Sequence, residues 1–202
     1  MEITRIRMLR GPNLWSRHTA IEAVVSCSSS ERSLSYLAGI ERRVCLIFPA
    51  VGALLVASQQ QPKSMAHLLE SVALTLQAQA GCPVTFSRTA ATVEPGVYQV
   101  VVEYSEEAVG HLAMELAQAL CKAALEDTPF DVTQALAQLR ELDEDVRLGP
   151  STGCIVDAAV ARNIPSSRMT EGSMVRFGWG SKQRRIQAAE IDSRSEERRV
   201  GK

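Results

Sequence analysis

The chain has 202 residues, 46% of them hydrophobic, with 22 basic and 23 acidic side chains and a formal net charge of −1. This content supports a packed core and excludes a disordered chain, and the length fits one domain, or one domain and part of another. The near-zero charge excludes a strong global pull on nucleic acid or a membrane surface.

Residues 2–10 alternate loosely and predict a first strand, with Ile3 and Ile6 partly buried. Gly11, Pro12 and Asn13 then predict a turn, because glycine and asparagine tolerate unusual φ and proline fixes its own. Arg10 and Trp15 flank that turn, and two readings stand: a strand-ending turn with Trp15 packed down, or an exposed arginine beside an aromatic platform for a ligand. His18 follows in a polar stretch and reads as structural or solvated. Residues 20–26 predict a second strand, 28–33 a polar loop, and 34–43 a short helix. The apolar run 44–57 contains Pro49 and Gly52 and is shorter than the ~20 residues of a membrane span, so it reads as a buried strand or helix. Residues 58–64 read as a flexible loop.

Residues 66–81 predict an amphipathic helix, with Leu69, Val72, Ala73, Leu76 and Ala80 as its apolar stripe. Ser64 is the expected N-cap and Gly81 the C′ residue, with Pro83 preventing continuation. His67, Ser71 and Thr75 stack at intervals of four, with Glu70 beside them. A His-x-x-Glu followed at once by His would be an inverted zinc-peptidase signature. Here the fifth position is Ser71, and a hydroxyl is a poor substitute for imidazole on zinc. His67, Glu70 and Ser71 therefore read as a degenerate remnant, and no metal is expected.

A strand is expected at 84–87 and a loop from Arg88 to Pro95-Gly96. Residues 97–104, VYQVVVEY, are the clearest strand, and 106–125 the clearest helix, with Val109, Leu112, Ala113, Leu116 and Leu120 as its buried stripe. Residues 131–146 predict another helix. After the Gly-Pro turn at 149–150, Ser151 or Thr152 is expected to cap a helix running to Arg162. Residues 173–180 and 184–189 read as two strands of a hairpin, and 193–202 as a charged, disordered tail of the kind a cloning artefact leaves. Cys27, Cys45, Cys82, Cys121 and Cys154 are odd in number and form no CxxC, so they read as reduced core thiols of a cytoplasmic protein. The alternation of strands and helices predicts an α+β layer fold. Lys182, Arg184 and Arg185 are too few, and too sparsely interleaved with aromatics, for a nucleic-acid site.

Four segments in this order and spacing resemble the cyanophycin synthetase family: LRGPNLWS (9–16), PGVYQVVVEY (95–104), LGPST (148–152) and FGWGSKQRRIQAAEID (177–192). The resemblance covers most of residues 1–192 and is weakest between Ser26 and Ser64. It implies an amino-terminal domain at 1–147 that holds the growing Asp–Arg polymer, then at 148–192 the incomplete start of an ATP-grasp ligase domain. The family's ligations are ATP- and Mg²⁺-dependent, yet no Walker-type phosphate loop occurs here, so this stretch is not expected to ligate alone or to bind a cofactor. Some members carry the full His-x-x-Glu-His on the helix at 66–81 as a metallopeptidase that trims polymer. The implied partners are the polymer and the missing ligase domains, with no nucleic acid or membrane, and the implied parent is a cytoplasmic homo-oligomer. A zwitterionic polymer calls for both signs of charge, which makes Arg10, Arg88 and Glu103 candidate contacts. Ser151 and Thr152 are implied to lie at the ligase site near the polymer's carboxyl end, where a helix N-terminus suits a carboxylate. A polymer-binding module without catalysis and a residual metallopeptidase are the alternatives.

Overall fold

The computed structural model describes residues 1–57, 64–169, 172–187 and 190–191. The expected loop at 58–64 lies almost wholly outside them, as does the tail at 193–202. The described residues form two compact units: Met1–Leu9 with Asn13–Asp145, and Arg10–Pro12 with the residues from Val146 onward. Both units mix helices with a small antiparallel sheet, so the α+β class holds.

In the first unit, β1 (Glu2–Leu9), β2 (Ala20–Ser26), β3 (Ser87–Ala91) and β4 (Val97–Glu103) form one antiparallel sheet in the order β1-β2-β4-β3. The strand expected at 84–87 forms later in the chain, as β3. Its sequence, SRTAA, has no β-branched or aromatic run, and its pairing with β4 makes it a strand. The helices are α1 (Ile40–Ile47), α2 (Pro49–Ala57), α3 (Met65–Ala80), α4 (Glu107–Glu126) and α5 (Val132–Val146). The helix expected at 34–43 is instead a 3-10 turn, Leu34–Tyr36, followed by α1 after Gly39, whose φ of 77° breaks the run. Pro49 opens α2, where the missing N–H costs nothing.

The central helix is α3, buried almost all round through Leu68, Leu69, Val72, Ala73, Leu74 and Leu76. It packs on α4 and against β3 and β4. Of the stripe expected on α4, Val109, Ala113 and Leu120 are fully buried, whereas Leu112 and Leu116 are only half-buried, and Gly110, Ala117 and Cys121 complete the covered face. Small residues there allow close approach, and a Cβ on Gly110 would lie 2.6 Å from the Tyr104 Cβ. Gly81 ends α3 at φ 105°, as a C′ glycine should. Ser64 occupies the expected N-cap position but makes no capping bond, because its hydroxyl turns to His67.

In the second unit, α6 (Pro150–Val160) precedes a sheet of β5 (Ser166–Arg168), β6 (Val175–Phe177), β7 (Arg184–Gln187) and β8 (Glu190–Ile191), each strand antiparallel to the next. The expected hairpin is the β6–β7 pair, with β5 and β8 added at its edges. Its core is Ala159, Val175, Phe177 and Ile186, with Leu148 and Val156 packed against them. Neither Ser151 nor Thr152 caps α6: Gly149 is the N-cap and Pro150 the first helical residue, since fixed φ and a missing N–H suit proline to that place. Among the described residues no helix is long and apolar enough to cross a membrane. Cys27, Cys82 and Cys121 are buried free thiols, but Cys45 is only half-buried and Cys154 is exposed, so they are not uniformly core residues.

Candidate functional site

The remnant on α3 faces the sheet. His67 Nδ1 lies 2.9 Å from Ser64 Oγ, and its ring meets Tyr98 edge-on at 6.1 Å between centroids. Glu70 accepts a 2.8 Å hydrogen bond from the Ser87 hydroxyl on β3. Burial pushes the Glu70 carboxyl above the usual carboxylate range, and the Thr89 and Ser87 hydroxyls offset this only in part. Of those two, Ser87 reaches hydrogen-bond geometry, while Thr89 Oγ1 stays buried without a partner. Ser71 donates back to the His67 carbonyl at 3.1 Å and Thr75 to the Ser71 carbonyl at 2.7 Å. Both hydroxyls thus serve their own helix. This donor set does not fit zinc, which needs about three protein ligands. Among the described residues no group of three or more His, Cys, Asp or Glu side chains could hold a metal ion.

The opposite face of the same sheet carries a different arrangement. Register places Arg7, Glu22, Val101 and Arg88 in one row across all four strands. Arg7 reaches Glu22 Oε2 at 2.5 Å, and the Trp15 indole donates to Glu22 Oε1 at 3.2 Å. The Arg88 guanidinium stacks over the Trp15 ring at 5.9 Å from its centroid. Trp15 thus spans the row between β2 and β3, and Val101 on that face is fully buried. Asn13 holds the tryptophan in place: its Oδ1 accepts from the Trp15 and Ser16 N–H groups at 2.9 and 3.0 Å, an Asx-type turn, while its Nδ2 donates to the His18 carbonyl at 2.9 Å.

The charges in this row have different duties. Glu22 is 6% exposed and already engaged twice. Arg88 is exposed, and among the described residues no carboxylate pairs with it. The cation–π contact with Trp15 leaves the N–H fork of Arg88 available, and such a fork suits a carboxylate. Glu103 is 7% exposed and its carboxylate is committed: Oε2 accepts the Thr85 and Phe86 N–H groups at 2.7 and 2.8 Å, and Oε1 lies 3.0 Å from His18 Nδ1. Of the candidate polymer contacts, Arg88 and Glu103 belong to the first unit, and Arg10, Ser151 and Thr152 to the second. In the first turn of α6 Ser151 is exposed, whereas Thr152 is buried at 3% exposure.

Sequence reading paired Trp15 with Arg10 and missed Arg7 and Glu22. Trp15 and Arg88 are far apart in the chain and meet only through sheet pairing. The alternation of β2 placed Glu22 opposite its apolar neighbours Ile21 and Ala23, and that was the available signal. A shallow depression of about 460 Å³, lined by Met1, Glu2, Ser26, Cys27, Ser28, Glu31 and Lys122, contains none of the residues selected from the sequence.

On this face of the sheet, then, the carboxylates of Glu22 and Glu103 are engaged while Arg88 lies exposed over Trp15. Residues 34–126 match the Cyanophycin synthase-like N-terminal domain. The chain is 34% identical to the cyanophycin synthetase of Geminocystis herdmanii over an aligned stretch of 204 residues, 93% of this chain and 23% of that protein. The cyanophycin synthetase of Trichormus variabilis gives 34% over 209 residues, 95% and 23%, and that of Crocosphaera subtropica 34% over 203 residues, 93% and 23%. The chain belongs to the cyanophycin synthetase family and spans about a quarter of the length of these curated relatives.

Proposed function

We propose that this chain is the polymer-holding part of an ATP-dependent ligase that joins Asp and Arg into cyanophycin. The observation that carries the reading is Arg88, held over Trp15 with no carboxylate partner among the described residues and lying in one row with the Arg7–Glu22 pair. A polymer with a carboxylate and a guanidinium on each repeat needs such a fork, and a stacked arginine loses little further freedom on binding. Arg7, about 14 Å away across three strand spacings, would extend the contact along the row.

In this reading residues 148–192 begin the ATP-grasp domain, and the α6 N-terminus with Ser151 faces the polymer's carboxyl end. ATP and Mg²⁺ belong to the whole ligase, and this chain contributes no phosphate loop of the Walker type. A cytoplasmic, homo-oligomeric parent completes the proposal. The metallopeptidase alternative gains no support from α3, where Ser71 and Thr75 bond to backbone carbonyls.

The test is equilibrium binding of the purified chain to short soluble cyanophycin, with Arg10, Arg88 and Ser151 replaced in turn. Loss of roughly tenfold in affinity on Arg88→Ala supports the reading. Absence of binding at millimolar polymer removes it.

A further inference from the structure

The second sheet repeats one feature of the first without its acid. Register places Ser167, Arg176 and Arg185 in one row across β5, β6 and β7, on the side away from Val175, Phe177 and Ile186. Arg176 and Arg185 are direct cross-strand neighbours. Like charges in that position repel, so the pair is unfavourable unless a counter-charge sits between them. Among the described residues neither guanidinium meets a carboxylate. Arg176 instead stacks over Trp179, at 5.7 Å from the ring centroid, and Trp179 is 57% exposed. Arg185 and Lys182 are exposed beside it, whereas Arg184 lies on the other side of the strand and donates to the Gln183 carbonyl. Arg168, by contrast, is fully used, donating to the Gly172 and Val146 carbonyls.

We propose that Arg176 and Arg185, with Trp179 as platform, form an oxyanion receptor on the outer face of this sheet, taking a small ligand that carries a carboxylate or phosphate group. The two guanidiniums stand one strand spacing apart, about 5 Å at the backbone, which lets both forks converge on one oxyanion. The cation–π contact keeps Arg176 beside the Trp179 ring, and the anion removes the repulsion between the two guanidiniums. The Ser167 hydroxyl, next in the row, is within one further strand spacing and can donate to the same group. This site has no acidic member, so it differs in chemistry from the Arg7–Glu22–Trp15–Arg88 row and stands or falls separately from the polymer reading.

The experiment is a titration of the full chain, followed by NMR of the tryptophan indole and arginine Nε–H signals. Sodium phosphate and sodium succinate are the probes, each at ionic strength held constant with sodium chloride. Trp179→Phe assigns the two indole signals. The expected result is a saturable shift of the Trp179 and Arg176 signals with at least one probe, weakened roughly tenfold in Arg176→Gln and in Arg185→Gln. Arg42→Gln, an exposed arginine on α1, removes the same charge elsewhere and should leave the affinity unchanged. Saturation by phosphate alone identifies a phosphorylated ligand, by succinate alone a carboxylate ligand, and by both the shared oxyanion chemistry. The proposal is overturned if neither probe saturates at tens of millimolar, if either arginine variant binds like the unmodified protein, or if Arg42→Gln weakens binding equally. All three variants change exposed or half-exposed side chains, and unchanged dispersion of the remaining amide signals verifies the fold.

Discussion

Replacing Glu103 tests whether a charged residue from a family-matched strand serves the fold or the ligand. Its Oε2 accepts the Thr85 and Phe86 N–H groups at 2.7 and 2.8 Å, tying the segment before β3 to the end of β4. Hydrogen bonds to a charged acceptor are worth about 1.5–3 kcal/mol each, and partial exposure of these donors lowers that to about 1–2 kcal/mol. Glu103→Ala should therefore cost about 2–4 kcal/mol. Glu103→Gln keeps an acceptor oxygen within reach of both donors and should cost about 1 kcal/mol. Urea unfolding followed by Trp15 fluorescence reports on the first unit when Trp179→Phe silences the second. With a urea slope near about 2 kcal/mol per molar, the alanine variant should unfold about 1–2 M earlier. A shift equivalent to less than about 0.5 kcal/mol would refute the reasoning, since it would mean that these bonds do not hold the segment.

Gly110→Ala should destabilise by about 1–3 kcal/mol, because the new Cβ would meet Tyr104 Cβ at 2.6 Å in a filled core; thermal unfolding checks this. Glu70→Gln should raise stability at neutral pH. Burial lifts the folded-state pKa of Glu70 above its unfolded value, so the folded state carries a penalty once the unfolded carboxyl ionises. That penalty is absent below the unfolded pKa and grows as pH rises through the folded one, so the gain from Glu70→Gln should vanish towards about pH 4. A gain that is independent of pH would contradict the linkage. Under native conditions a thiol reagent should modify exposed Cys154 first and half-buried Cys45 next, leaving Cys121, which burial pushes up to about 12, for the unfolded chain; mass spectrometry of a labelling time course reads the order.

Local patterns made much of this fold legible. The β-branched runs of β2 and β4 and the 3.6-residue period of α3 identified their elements, because each signal is carried by neighbours in the chain. β3 was misplaced because an edge strand of Ser, Arg, Thr and Ala owes its conformation to β4 alone. The capping of α6 was misassigned because Ser151 and Thr152 are good caps in isolation, while Pro150 as the first helical residue moves the cap back to Gly149, two residues before Ser151. The candidate face was half visible: Trp15 was marked as a platform, but its cation comes from β3, since only pairing through β2 and β4 brings Arg88 there. Glu103 shows the converse, since its family-matched position gave no sign that backbone N–H groups already occupy its carboxylate.

The central claim is that the Arg88–Trp15 face receives the polymer. Trp15 fluorescence in the Trp179→Phe protein, titrated with short soluble cyanophycin, measures it most directly. The account predicts a saturable change that Arg88→Gln weakens roughly tenfold, with the unfolding midpoint of that variant unaltered. Tight polymer binding that leaves Trp15 silent, or that Arg88→Gln does not affect, would contradict it.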